Sequence, residues 1–138
     1  MILINDEFLD DVTTKAKASE RLRMNYNLHD SLEAKAQRLL NALELGTVLP
    51  VHRHRQTAET YIVLRGSMKV LFYNDDKVLI DACVVNPSEK AYGIHIPAGQ
   101  FHALEVLESG TVIFEVKDGP YAPFQPEDML FSDNDTSL

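Results

Sequence analysis

Apolar positions along the chain follow two different periods. Near the N-terminus Phe8, Leu9 and Val12 stand at helical spacing, which predicts a short helix within residues 1–20. The next segment, RLRMNYNLHDS (Arg21 to Ser31), is irregular, with Asn27 and Asp30–Ser31 as turn or cap residues. Within it Arg21, Arg23, Asn25 and Asn27 alternate with Leu22, Met24, Tyr26 and Leu28, as on an edge strand or arm with one wet face. The stretch EAKAQRLLNALELG (33–46) is rich in helix formers, yet it runs into a dense series of strands, so its own residues leave both states open.

From Thr47 the grammar changes. ETYIVLRG (59–66), SMKVLFY (67–73), KVLIDACVV (77–85), AYGIHIP (91–97), FHALEVLE (101–108) and TVIFEVK (111–117) are β-branched or aromatic runs. Turn residues separate them: Asn74 to Lys77, Asn86 to Glu89, Pro97 to Gly99, and Ser109–Gly110. Short strands at this spacing predict an all-β fold, a single small sandwich or barrel. The end of the chain, from Gly119, carries three prolines and reads as an arm or frayed tail. Its Phe124, Met129, Leu130 and Phe131 are expected to pack on a neighbour. The expected division is an N-terminal helix and arm (1–30), a barrel (31–121) and a C-terminal tail (122–138).

Composition narrows the class without naming a function. A length of 138 residues suits one domain, and 45% hydrophobic against 25% charged residues excludes a largely disordered chain. The opening MILINDEFLDD lacks a basic region and turns acidic at once, unlike a signal peptide. No apolar run is long enough to span a membrane. A single cysteine, Cys83, cannot form an internal disulfide, which fits a cytoplasmic location. The net charge of -8 disfavours nucleic acid as a partner.

Histidine placement carries the chemistry. His52 and His54 lie two apart, so on a strand both imidazoles would point to one face. Glu59 opens the following strand, and His102 stands just past the tight turn PAGQF. Three imidazole nitrogens and one carboxylate oxygen suit one divalent metal ion such as Zn, Fe(II), Mn, Co or Ni. The alternative for the first three is a polar edge strand, and for His102 a turn histidine.

The wider spacing, Gly46-x5-His52-x-His54-x4-Glu59-x6-Gly66, resembles the first motif of the cupin superfamily. Pro97-x-Gly99-x2-His102 resembles the core of the second, with Ala91 and Val106 where that motif usually carries glycine and asparagine. The resemblance implies a jelly-roll barrel, or double-stranded β-helix, with His52, His54, Glu59 and His102 around one metal. The flanks RLRMNYNLH, QRLLNALELG and FEVKDGPY look like the WbuC family of small cupin-fold metalloproteins, often encoded among surface-polysaccharide genes. Under that resemblance residues 37–44 are a strand, and the chain is expected to be a homodimer.

Other residues have two readings each. His95 either lines the cavity as a proton carrier or is held by the backbone; Glu115 and Lys117 are either solvated or an acid/base pair inside the barrel. Arg21 and Arg23 suit an anionic ligand, a sugar acid or sugar nucleotide, because guanidinium matches carboxylate and phosphate. Tyr61, on the face of Glu59, lines the barrel and is a further ligand contact; Cys83 reads as a small core residue. The leading expectation is a metal-dependent enzyme, an isomerase, epimerase or dioxygenase, with His95 or Glu115 as proton carrier. The alternatives are a metal-dependent binder or sensor of a small ligand, and a metal-free sugar-nucleotide epimerase, which would need only one such histidine.

Overall fold

Asn5 starts the helix. In the computed structural model, which describes residues 1–129, its side chain accepts a hydrogen bond from Phe8 N at 3.0 Å, and α1 runs Asp6–Ala18. Asp6 and Glu7 in the first turn and Lys15 and Lys17 in the last complement the helix dipole. No helix of the described residues is long and apolar enough to cross a membrane.

Eight strands follow: β1 Arg23–Asn27, β2 Ala36–Leu43, β3 Glu59–Arg65, β4 Met68–Tyr73, β5 Leu79–Val85, β6 Gly93–Ile96, β7 Phe101–Val106 and β8 Thr111–Asp118. They form two antiparallel sheets, β1-β2-β8-β3-β6 and β5-β4-β7, the expected all-β jelly roll with a short N-terminal helix. The irregular segment after the helix is therefore partly a strand. β1 pairs with β2 in the register Arg23 to Leu43 and Asn25 to Asn41.

β2 shows why its sequence looked helical. Leu43 joins the core between the sheets, while Leu40 and Ala42 face outward and are buried under Leu9, Val12 and Ala16 of α1. A strand covered on both sides loses the apolar–polar alternation that marks a half-buried one. β8 behaves in the same way, with Ile113 in the inter-sheet core and Val112 beneath the helix. Glu115 and Lys117 share the parity of Ile113, so they point into the barrel rather than to solvent. Val116, on the outer face beyond the helix, is exposed. Arg65 fastens helix to barrel, its guanidinium reaching Asp10 Oδ1 at 2.7 Å and Thr13 Oγ1 at 3.0 Å.

The barrel interior is divided. Leu43, Val63, Met68, Val70, Val85, Leu104, Val106 and Ile113 pack as its apolar floor, with the half-buried Cys83 against them. His52, His54, His102, Glu59, Tyr61, Glu115 and Asn41 occupy the other end. A tight β3–β4 turn holds the layers close. Gly66 sits at φ 90°, and a Cβ there would lie 2.6 Å from Thr111 Cα.

Candidate metal centre

His52 and His54 are not on a regular strand. Residues 50–58 form a loop in which His52 and His102 exchange backbone hydrogen bonds of 3.0 and 2.8 Å. This pairing, rather than strand pleat, brings the two halves of the histidine set together. Gly99, at φ 83°, makes the turn before β7 and donates to His54 O at 2.8 Å, tying the second turn to the first loop.

The ligating atoms of His52, Glu59 and His102 lie within 4.8 Å of one another, and all three residues are buried. His54, the fourth expected ligand, lies outside that cluster but beside it, its Nε2 3.0 Å from Glu59 Oε1. Both buried imidazoles are locked from behind. His52 Nδ1 donates to Pro50 O at 2.8 Å and His102 Nδ1 donates to Gln100 O at 2.9 Å. A carbonyl only accepts, so each Nδ1 carries a proton, and a neutral ring so held turns its Nε2 lone pair into the site.

Those lone pairs meet another acceptor. His102 Nε2 is 3.2 Å from Glu59 Oε2, and the Tyr61 hydroxyl already donates to that oxygen at 2.9 Å. A neutral imidazole and a carboxylate facing each other lone pair to lone pair need a proton or a cation between them. The donor set, with each histidine braced by a backbone carbonyl, therefore fits a divalent metal. Charge state agrees. Burial, reinforced by neighbouring His102, pushes His52 down to about 3, so it stays in the neutral form that ligates. Burial alone would raise Glu59, but with a proton between the groups in a metal's place, hydrogen bonds from His102 and His54 outweigh it and hold the carboxyl well below its usual range.

The centre opens into a cavity of about 510 Å³. Arg21, Arg23 and Asn25 form one wall, because Met24 and Leu28 turn outward to the helix. Tyr61, Glu115, Asn41 and Lys117 form another, so the structure gathers Arg21, Arg23, Tyr61 and Glu115 with His52, His54 and Glu59. Arg23 Nη1 also donates to Val48 O at 3.0 Å. Glu115 is buried and accepts from Asn41 Nδ2 at 3.0 Å. Burial, then the charge of Glu59, raises its carboxyl to about 7. Tyr61 is raised well above its ordinary value by burial and by both carboxylates, so it stays a hydroxyl donor.

His95 is not part of this group. It pairs with Thr60 on the outer face of β3 and is exposed, its Nδ1 2.9 Å from Thr60 Oγ1. The reason is parity: Glu59 and Tyr61 face inward, so Thr60 and its partner His95 face out. Cys83 is half-buried, and burial together with Asp81 raises its thiol, away from a nucleophile's range.

Three contributors at the mouth were missed by the sequence reading. The described part of the segment after β8, residues 119–129, returns over the site. Phe124 sits 5.0 Å from the His52 ring and 5.1 Å from His54, and Met129 pairs with His52. Asp128 anchors this strap, accepting from Arg55 Nε at 2.9 Å and Arg53 Nε at 3.4 Å. Leu130 and Phe131, expected to pack on a neighbour, lie outside the described residues. A second cavity, about 420 Å³, lies between strap and barrel rim, and Phe124, His54, Lys117 and Tyr121 line both.

A family model described as a domain of unknown function (DUF6016) matches residues 4–85. The chain belongs to the DUF6016 family. A comparison with curated proteins found no match. Among solved structures, the DUF6016 chain is similar to the capsular polysaccharide assembling protein CapF from Staphylococcus aureus, at TM-score 0.65 and 22% identity over 82% of this chain. It spans about a third of CapF, 32%. It also resembles KdgF from Halomonas sp., at TM-score 0.57 and 13% identity, covering 72% of this chain and 82% of that one. A variant of Bacillus subtilis oxalate decarboxylase aligns at TM-score 0.56 and 19% identity, over 72% of this chain and 26% of the other. At these identities the likeness establishes the fold, and the fold is a cupin.

Proposed function

We propose that this DUF6016 chain is a WbuC-type cupin that binds one divalent metal through His52, His54, Glu59 and His102. Its activity is metal-dependent and its substrate a small polyhydroxylated anion, a sugar acid or sugar nucleotide of surface-polysaccharide synthesis in the cytoplasm. One observation carries the reading: two buried imidazoles, each locked by its Nδ1 to a carbonyl, converge with Glu59 at the head of a cavity walled by Arg21 and Arg23. The likeness to CapF, a capsular polysaccharide assembling protein, supports the substrate class, and the Mn(II) centres of oxalate decarboxylase support a first-row ion.

A bound divalent ion would supply Lewis-acid polarisation of a carbonyl or hydroxyl. The chain's own residues do the rest. Arg21 and Arg23 bind the anionic end. Tyr61 holds Glu59 in place through its hydroxyl. Glu115, raised to about 7, takes and returns a proton near neutral pH. Such a carrier suits an isomerase or epimerase. The strap, which lays Phe124 against two of the ligands, favours a second reading as a non-catalytic ligand binder or sensor.

The test is calorimetric titration of metal-loaded protein with D-galacturonate and glucose 6-phosphate, repeated on Arg23→Ala. Binding that requires metal and weakens by roughly tenfold in the variant supports the reading. Metal-independent binding, or no effect of the variant, contradicts it.

A further inference from the structure

Asn41 is the one polar side chain beside the cavity with a need that the described residues leave unmet. It is 8% exposed, it lines the cavity, and its Oδ1 has no hydrogen-bond partner among the described residues. Its orientation is not arbitrary. The amide nitrogen faces Glu115 Oε1, 3.0 Å away, and must do so once Glu115 is a carboxylate, because the oxygen would then meet an acceptor there. That leaves the amide oxygen as a buried acceptor, which costs stability unless a donor reaches it.

Strand register explains how the residue comes to be there. β2 turns Leu40 and Ala42 to the helix and so turns Asn41 inward, opposite Asn25 of β1 and Ile113 of β8 and within reach of Glu115. An apolar residue at this position would continue the floor of Leu43 and Ile113. An amide here instead gives the cavity two oxygen acceptors side by side, Asn41 Oδ1 and the Glu115 carboxylate. Arginines lie on one flank and the histidine centre on the other.

We infer that Asn41 and Glu115 are a hydroxyl-recognition pair, accepting hydrogen bonds from adjacent hydroxyls of the ligand. The assignment deepens the proposed function and rests on it. It names the substrate as a polyol anion: oxygens toward the metal ligands, a charge at Arg21 and Arg23, and free hydroxyls between. It also makes Asn41 a specificity residue, because a site built to bond a hydroxyl discriminates strongly against analogues lacking it.

The experiment uses the full chain loaded with Ni(II) and two probes, D-galacturonate, rich in hydroxyls, and oxalate, which has none. Asn41→Leu keeps the branched heavy-atom shape of the side chain and removes the acceptor together with the amide donor to Glu115. The expected result is a loss of galacturonate affinity of roughly tenfold or more, with oxalate affinity within about twofold and metal content unchanged. Should Asn41→Leu not fold, Asn41→Thr and Asn41→Val decide between them. They differ by one hydroxyl, and the Thr variant should bind galacturonate the more tightly. Equal galacturonate affinity in wild type and Asn41→Leu, or in the Thr and Val pair, overturns the inference and leaves the metal reading standing. So does a wild type that binds oxalate but no galacturonate. A wild type that takes up no metal overturns the proposed function, and this inference with it.

Discussion

Glu115 offers a test of the site that needs no substrate. In the metal-free chain its carboxyl is raised by burial and by the charge of Glu59, from 4.5 to about 7. The folded chain therefore keeps this proton up to about pH 7, whereas the unfolded chain releases it near 4.5. Between those values the folded state holds the extra proton, so its contribution to stability is full below 4.5 and is lost as pH rises through 7. At about 1.36 kcal/mol per tenfold change, the loss amounts to roughly 3 kcal/mol. Glu115→Gln is neutral throughout and can still accept from Asn41, so it lacks that loss. Urea unfolding of both metal-free proteins at pH 4.5 and pH 8 should show the variant's relative stability growing by roughly 3 kcal/mol. A difference that stays constant to within about 0.5 kcal/mol would show that Glu115 ionises freely, and the buried-carboxyl reasoning would be wrong.

Three further outcomes are expected. Asp128→Ala removes the acceptor of Arg53 and Arg55, so the strap should loosen, with a stability cost of about 1–2 kcal/mol and faster chymotryptic cleavage after Phe124. Unchanged proteolysis would mean the strap is held by other contacts. Leu40→Ala opens a cavity beneath α1 and should cost about 3 kcal/mol in denaturant unfolding, whereas Ile62→Ala on the exposed outer face should cost under about 1. The chain should form a homodimer, since β5 is an edge strand among the described residues and exposes Leu79, Ile80 and Val84; light scattering that reports a monomer at high micromolar concentration would contradict this.

How much was legible in the sequence follows from what each signal measures. Strands with one wet face, such as β3 and β4, announce themselves by alternation, and the spacing of His52, His54, Glu59 and His102 was readable because loop and turn lengths fix it. β2 was not readable from its residues, because α1 buries its second face and erases the alternation. The same cover hid the inward aim of Glu115 and Lys117: Val112 looked like the core side of β8, and it is core, but of the helix layer. His95 sat two residues before a motif proline, yet pairing with Thr60 puts it outside. No local pattern marks Phe124 as a cover for the site, since its contacts with His52 and His54 depend on Asp128 reaching two arginines more than seventy positions away.

The central claim is that one divalent ion sits among His52, His54, Glu59 and His102. Elemental analysis of protein purified without added metal, and again after Ni(II) or Zn(II) loading and dialysis, tests it most directly. Three proteins suffice: wild type, His102→Ala and His95→Ala. About one metal per chain is expected in wild type and His95→Ala, and close to none in His102→Ala, which should also lose most of the melting-temperature rise that metal gives. Release on acidification should take up protons and occur below roughly pH 6.5, because only neutral imidazole ligates. A wild type without metal after loading, or a His102→Ala protein that keeps metal while His95→Ala loses it, would contradict the assignment.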